Sequence, residues 1–547
     1  MEREPPRATS DEIDLYIRTY YSLLRSSGDV RVRSFEEAHI YSESSLHAGA
    51  RETEPDVAAF AYSAARLPRC MPEIRRIVLG QSKEQFEAAG INVREWERVT
   101  TRGRRRPLRW DGKDTLACFL TSSSDIDDLI PIVTAYQIEW NKLHALLSRK
   151  DVLQQGDLDV LSSAFSGDLA ANLSRVEEAP LDLSVRLLSA SLVDYQRAAQ
   201  RWWSEVEPVY LGPNGERRPV YFVSSNTHVL ANLFGGYARK NRDTILQFAR
   251  EKNPENLAAH LENAIAVGDE DEIANCSYYL LHKWLNHSEN ADRSREVQKS
   301  DESCGITTIS SPGRIDVTAQ IVELSKLDAS ALDPRISVDD LALLKKSDAV
   351  ILNIDYPLGM AAYHLLSRLA QGTREIRGVY VMGKAATLNG KVGDVMIGGI
   401  TYDAHSQNTF LFKNCFRGAD VQPYVRNVMV LDGQKAVTVR GSFLQNRKFM
   451  NVFYRDAYTV LEMEAGPYLS AIYEMVYPKR HPRDEIVHLS TLTPFDVGIL
   501  HYASDTPYSR RQSLLSKSLS YFGIDGTYAC ATAIARRILS TEIARLR

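Results

Sequence analysis

The stretch Val460-Leu461-Glu462-Met463-Glu464-Ala465-Gly466-Pro467 decides how the rest is read, because it sets two carboxylates at a strand-to-helix junction. Tyr458 to Leu461 is a short apolar run that reads as a buried strand, and Pro467 suits the first turn of a helix continuing to Tyr477. Side chains two apart on an extended chain share a face, so Glu462 and Glu464 repel each other if both are buried without partners. Two readings follow. One glutamate caps the helix, where a negative charge is worth about 0.3–1 kcal/mol. Alternatively a carboxylate, an acceptor with about four lone-pair sites, clamps neighbouring hydroxyls such as the 2′ and 3′ hydroxyls of a ribose.

Outward from this junction, residues 303–547 alternate short β-branched or apolar runs with helical patterns. The expected strands are Ile306–Ile309, Ala349–Ile354, Gly378–Met382, Val392–Ile397, Asn427–Val430, Ala436–Val439, Tyr458–Leu461 and Val497–Tyr502. Expected helices cover Arg314–Leu327, Pro357–Ala370, Pro467–Tyr477, Arg510–Tyr521 and Gly526–Leu539. Alternation of this kind predicts an α/β domain, a central sheet flanked by helices, with its ligand site at the carboxyl ends of the strands.

Four further segments fall at such ends. Ser310-Ser311-Pro312-Gly313-Arg314 follows the first strand, so its N–H groups and Arg314 could receive an anion, although a turn needs such residues merely to turn. Asp355-Tyr356-Pro357-Leu358-Gly359 repeats that geometry after the next strand. In Gly383-Lys384-Ala385-Ala386-Thr387-Leu388-Asn389-Gly390-Lys391-Val392-Gly393-Asp394-Val395, Gly383 and the small residues admit a ligand close to the backbone. Lys384 offers a point charge there, or pairs structurally with Asp355 or Asp394. Finally, Ala503-Ser504-Asp505-Thr506-Pro507 sets an aspartate at a strand end, placed either to cap a helix or to work as an acid.

The first 285 residues read differently. Helical spacing covers Ser10–Arg25, Ser44–Leu67, Asp125–Ser148, Leu181–Trp203 and Asn226–Glu251, with one probable strand at Thr115–Leu120. This predicts a mainly helical N-terminal domain, regulatory or oligomerising. Arg102, Arg104, Arg105, Arg106 and Arg109 crowd a turn-like stretch that is either a solvated loop or a phosphate-binding cluster. Ser122 to Asp128 reads as an acidic helix start. Residues 286–302 are polar and nearly free of apolar side chains, so the linker between domains is placed there.

Composition narrows the class. A chain of 547 residues suggests two to four domains, and 44% hydrophobic with 25% charged residues are globular values. The net charge of −4 gives no pull toward nucleic acid polymers or acidic membranes. No apolar run approaches the roughly 18–20 residues of a membrane span, and the opening Met-Glu-Arg-Glu-Pro-Pro is unlike a signal peptide, which predicts a cytoplasmic protein. The six cysteines and twelve histidines show no metal-ligand spacing, so no metal and no cofactor is expected.

Taken in order, SSPGR, the glycine turn at Tyr356–Gly359, GKAATLNGKVGDV, VRGSF at Val439–Phe443, LEMEAGP and ASDTP resemble the nucleoside phosphorylase superfamily over roughly residues 303–540. A large N-terminal domain and the Ser-Asp-x-Pro form of the last motif look most like its AMP nucleosidase branch. The resemblance implies that Glu464 holds the ribose hydroxyls with Met463 beneath the sugar. It further implies that Phe443 stacks on the base, that Asp505 protonates or hydrogen-bonds N7 of a purine, and that Arg314 contacts phosphate. Glu462, Ser504, Gly383 and Lys384 join these as substrate-binding candidates. Two departures alter the phosphate cage: Val381 stands where phosphorylases carry a second arginine, and Lys384 where they carry serine or threonine.

The expected activity is therefore hydrolysis of the N-glycosidic bond of a purine nucleotide or nucleoside. Such a reaction needs an acid near the base and acceptors near the hydroxyls, the types supplied by Asp505 and Glu464. The alternatives are phosphorolysis, with inorganic phosphate as co-substrate, and a nucleotide sensor that keeps the fold without turnover. Family members assemble as trimers or hexamers, which implies a homo-oligomer.

Overall fold

The computed structural model describes residues 11–506 and 521–547, apart from 27, 105, 150–152, 166–167, 189–190, 288–292, 479 and 492. Two sheets organise the chain. The smaller runs, in order, Asp29–Arg31, Ser184–Leu187, Arg76–Gly80, Thr115–Phe119, Leu108–Trp110 and Glu97–Val99. Its core is closed by the helices Asp11–Ser26, Val57–Ala65 and Ser123–Ser148, so this helix-rich N-terminal region also carries a mixed sheet of its own.

The larger sheet runs from Ile486–His488 through Thr409–Leu411, Val395–Asp403, Val430–Thr438, Tyr458–Glu462, Glu375–Thr387, Pro219–Ser224, Val350–Ile354 and Ala319–Glu323 to Ile306–Ile309. Strand Asp496–Asp505 pairs with both Glu375–Thr387 and Val395–Asp403, which closes five strands into a ring. Helices Leu192–Tyr210, Met360–Gly372 and Ala465–Val476 cover one face and Ile524–Leu546 the other, giving the expected α/β layering.

Several expectations are corrected. Arg314–Leu327 is not a helix: after one turn at Pro312–Arg314 the chain extends into strand Ala319–Glu323, because Ile315, Val317, Ala319 and Ile321 alternate inward with a period of two. Asn427–Val430 and Ala436–Val439 are not two strands but the ends of one, Val430–Thr438, bent at Gly433. Leu181–Trp203 begins as strand Ser184–Leu187, and its helix starts only at Leu192, behind a Ser191 cap. Ser44–Leu67 is helical only from Val57, where the Asp56 side chain caps it. Asn226–Glu251 breaks at Gly236, whose φ of 68° and close approach to the Ala331 carbonyl admit no side chain. The expected helix Arg510–Tyr521 lies outside the described residues, Tyr521 excepted.

The domain division also moves. Strand Pro219–Ser224 lies between Glu375–Thr387 and Val350–Ile354, parallel to both, so the larger sheet takes its central strand from well before residues 286–302. Within that polar segment, Ser294–Ser303 is a helix rather than open linker. None of the helices among the described residues is long and apolar enough to cross a membrane.

Candidate active site

The carboxyl ends of strands Tyr458–Glu462, Glu375–Thr387 and Asp496–Asp505 converge on one residue. Ala386 is the register partner of Leu461 on one side and of Asp505 on the other. Neighbouring strands lie about 4.8 Å apart, so the two flanking ends stand about 10 Å from each other across Ala386. A bulge between Ala385 and Ala386 skips Ser504 and brings Asp505 into line. Such bulges re-aim a side chain, and here the re-aimed one is the candidate acid.

The two glutamates divide the roles that the sequence left open. Glu462 Oε2 accepts the N–H groups of Glu464 at 2.7 Å and Ala465 at 2.6 Å, while its Oε1 takes the Thr438 hydroxyl. Glu462 is therefore the helix cap, its oxygens spent on protein groups rather than offered to a ligand. Glu464 accepts the Gly359 N–H at 3.3 Å. Burial, with the neighbouring Glu464, pushes Glu462 up to about 8. Burial likewise pushes Glu464 up to about 7, against the pull of the Gly359 N–H and of Arg104.

Asp505 Oδ2 accepts from the Ser504 hydroxyl at 2.8 Å, and that hydroxyl also stands 3.3 Å from the Ala385 carbonyl. Its Oδ1 is buried without a partner among the described residues. Burial raises the Asp505 carboxyl above its ordinary value, opposed by Arg66, the Ser504 hydroxyl, Lys384 and Arg104. Lys384 is exposed and within electrostatic reach of Asp505. A methyl group added at Gly383 meets only the Tyr356 ring, at 3.8 Å, so the backbone there is open to approach.

Arg66 and Arg104 come from the N-terminal region, and only the second stood among the sequence candidates. Arg104 Nη2 donates to Asp128 Oδ1 at 2.9 Å and to Ser442 Oγ at 3.0 Å, and lies 3.7 Å from the Met463 sulfur. Arg106 donates to the other Asp128 oxygen at 3.0 Å. Burial alone raises the Asp128 carboxyl, yet Arg104 and Arg106 hold it at about 2. Arg66 ends helix Val57–Ala65, donates to the Tyr62 carbonyl at 3.1 Å and stacks on the Tyr62 ring. The signal for Arg66 was absent from the sequence, since nothing local marks an arginine at a helix end as part of a distant site.

The arginine run and the acidic helix start are thus largely spent on each other and on joining the two parts of the chain. Asp127 binds Arg440 at 2.9 Å and receives the Tyr20 hydroxyl, while Asp125 accepts the N–H groups of Thr121 and Ser122. Arg102 donates to the Ala164 carbonyl and Arg109 to that of Trp96; Arg105 lies outside the described residues. Ser124 Oγ accepts the Met360 N–H at 2.9 Å and stands 3.4 Å from His405, itself paired with Asp403. This serine–histidine–aspartate set is a clamp between the parts, because the hydroxyl is fully buried and engaged by backbone. A separate cavity of about 460 Å³ opens behind His405, between Tyr195 and Tyr363. It holds none of the motif residues, which converge at Ala386 instead.

One expected ligand contact is corrected, and another falls outside the described residues. Phe443 is 1% exposed and packs against His39, His47 and Tyr62 in the N-terminal core, so its ring is a plug between the two parts and not a free stacking face. The turn Pro312–Arg314 packs on the backbone of helix Leu192–Tyr210; the Arg314 side chain lies outside the described residues. Among the described residues no group of three or more His, Cys, Asp or Glu is placed to hold a metal ion.

The chain matches a family of unknown function, DUF6909, over residues 32–156 and 152–540, and belongs to that family. No curated protein matches it. Among solved structures it is similar to 5′-methylthioadenosine/S-adenosylhomocysteine nucleosidase from Neisseria meningitidis in complex with methylthio-immucillin-A, at 13% identity and a TM-score of 0.29. That match covers 45% of this chain and 95% of the other. Purine nucleoside phosphorylase from Toxoplasma gondii in complex with immucillin-H matches at 11% identity and 0.28, covering 46% and 88%. A putative methylthioadenosine nucleosidase from Weissella paramesenteroides matches at 12% and 0.25, covering 35% and 82%.

Proposed function

We propose that this member of DUF6909 hydrolyses the N-glycosidic bond of a purine nucleoside or nucleotide. The observation that supports the reading is that strands Tyr458–Glu462 and Asp496–Asp505, which lead to Glu464 and Asp505, flank Glu375–Thr387 at Ala386, with Arg104 within electrostatic reach of both carboxyls. Glu464 is the acceptor for the ribose hydroxyls. Asp505 is the proton source. As the C1′–N9 bond lengthens, its electron pair moves onto the base, and a proton from Asp505 on N7 makes the base a neutral leaving group. Water adds its oxygen to C1′ and returns a proton to Asp505, so the products are ribose, or its 5′-phosphate, and free base. Burial supports this role because it raises the Asp505 carboxyl toward the protonated form.

Incubating the full chain with purine nucleosides and nucleotides, with and without phosphate, and following free base by chromatography tests the reading. Base release without phosphate is the expected outcome; strict dependence on phosphate refutes hydrolysis. Lys384, exposed and electrostatically linked to Asp505, favours phosphorolysis as the second reading, in which ribose 1-phosphate is the product.

A further inference from the structure

The unmet hydrogen-bonding capacity of the site has a definite pattern. Arg66 is 7% exposed and its Nε has no partner among the described residues; Arg104 Nε and Asp505 Oδ1 are likewise buried and unpartnered among them. A guanidinium only donates. Leaving a buried donor unsatisfied costs about 1–3 kcal/mol, so a ligand that supplies acceptors there gains by that amount. Both arginines lie within electrostatic reach of Asp505, and Arg104 reaches Glu464 as well.

We infer that Arg66 and Arg104 select a purine that carries an oxygen at C6. The inference rests on the proposed glycosidase reading, in which Asp505 meets N7. In a purine, N7 and the C6 substituent lie on the same edge, so the groups beside Asp505 face that substituent. A carbonyl there accepts from the guanidinium N–H groups and satisfies them. An amino group there sets donor against donor and leaves the arginines unmet. The same guanidinium groups stabilise the charge that collects on the C6 oxygen as the base departs, a contribution the amino analogue cannot receive. Sites built to hydrogen-bond one group reject the analogue lacking it strongly, because their own buried atoms are then left unpaired.

Hypoxanthine and adenine, equal in size and differing at C6, are the direct probes. Titrating each into the full-length protein by calorimetry is expected to show hypoxanthine binding at least about tenfold tighter, equivalent to about 1.4 kcal/mol. Initial rates should favour inosine or its 5′-monophosphate over the adenosine counterparts by a larger factor, since the interaction strengthens as charge develops. Arg66→Met keeps an unbranched apolar side chain, removes the guanidinium that lies over Tyr62, and should reduce the hypoxanthine-to-adenine ratio toward one; a purely structural Arg66 does not move that ratio. Adenine binding as tightly as hypoxanthine, or a ratio unchanged in Arg66→Met, overturns the inference. If adenosine is cleaved without discrimination, the selection fails and the glycosidase reading stands; if neither base binds and no nucleoside releases base, both fail together.

Discussion

Arg104 Nη2 stands 3.7 Å from the sulfur of Met463, so a side chain from the N-terminal region reaches the residue that directly precedes Glu464. The N-terminal region therefore borders the candidate site. Its buried anchor is Asp128, shared between Arg104 and Arg106.

Asp128→Ala removes one partner of a buried ion pair and strands two guanidinium groups, which typically costs about 3–5 kcal/mol. Denaturant unfolding should register a loss of that size, and Ser442 loses its hydrogen bond to the same carboxylate. A loss under about 1 kcal/mol would mean that the two parts are held together elsewhere.

Asp505→Asn should lower kcat by about 10²–10⁴, the usual contribution of a positioned acid. Stability should change little, because Oδ1 has no partner among the described residues to lose and Ser504 can still donate to the amide oxygen. Single-turnover kinetics beside a thermal melt separates the two effects; a folded variant with an unchanged rate places the acid elsewhere.

Glu464→Gln should act mainly on KM. A hydrogen bond to a charged group contributes about 1.5–3 kcal/mol, so KM is expected to rise about tenfold to a hundredfold. Because burial raises this carboxyl to about 7, its acceptor form is lost as pH falls below 7, and the wild-type KM should rise there while that of the variant stays flat.

Stability itself should depend on pH through the Glu462–Glu464 pair. Both carboxyls are raised in the folded state, to about 8 and about 7, above an ordinary value of 4.5. The folded state then binds more protons than the unfolded one, so this contribution is full below about pH 4.5 and is lost as pH rises through 7 to 8. Glu462→Gln imitates the protonated form and should flatten the decline of Tm between pH 5 and 8.5. A Tm that rises over that interval in the wild type, or an equal slope in the variant, counts against the pair.

The sequence displayed the larger sheet well wherever apolar runs sat between turns, as at Ile306–Ile309, Val350–Ile354 and Tyr458–Glu462. At Ile315–Ile321 the inward alternation of a strand is too short to tell from a helical pattern, and Pro219–Ser224 sits between helical stretches of sequence although its unbroken run of buried residues is what a central strand requires. Among the site candidates, Gly383 lies within strand Glu375–Thr387, Asp505 ends the strand paired with it, and Glu464 follows a third strand at the start of a helix, positions that the motifs on those strands made legible. Phe443 and Glu462 do not serve as expected, for a reason invisible locally: the N-terminal core takes the phenyl ring, and backbone N–H groups take the carboxylate. Arg66 acquires its place only through tertiary packing.

Strand Pro219–Ser224 also imposes an order on synthesis. The chain leaves the ribosome with this apolar segment well ahead of both strands that flank it, Val350–Ile354 and Glu375–Thr387. At about 5–20 residues per second the wait is on the order of ten seconds or more, during which two strand edges stay open to any passing partner. A nascent chain of this kind has reason to need a chaperone, and a fragment starting at residue 303 has no means of filling the gap at its centre.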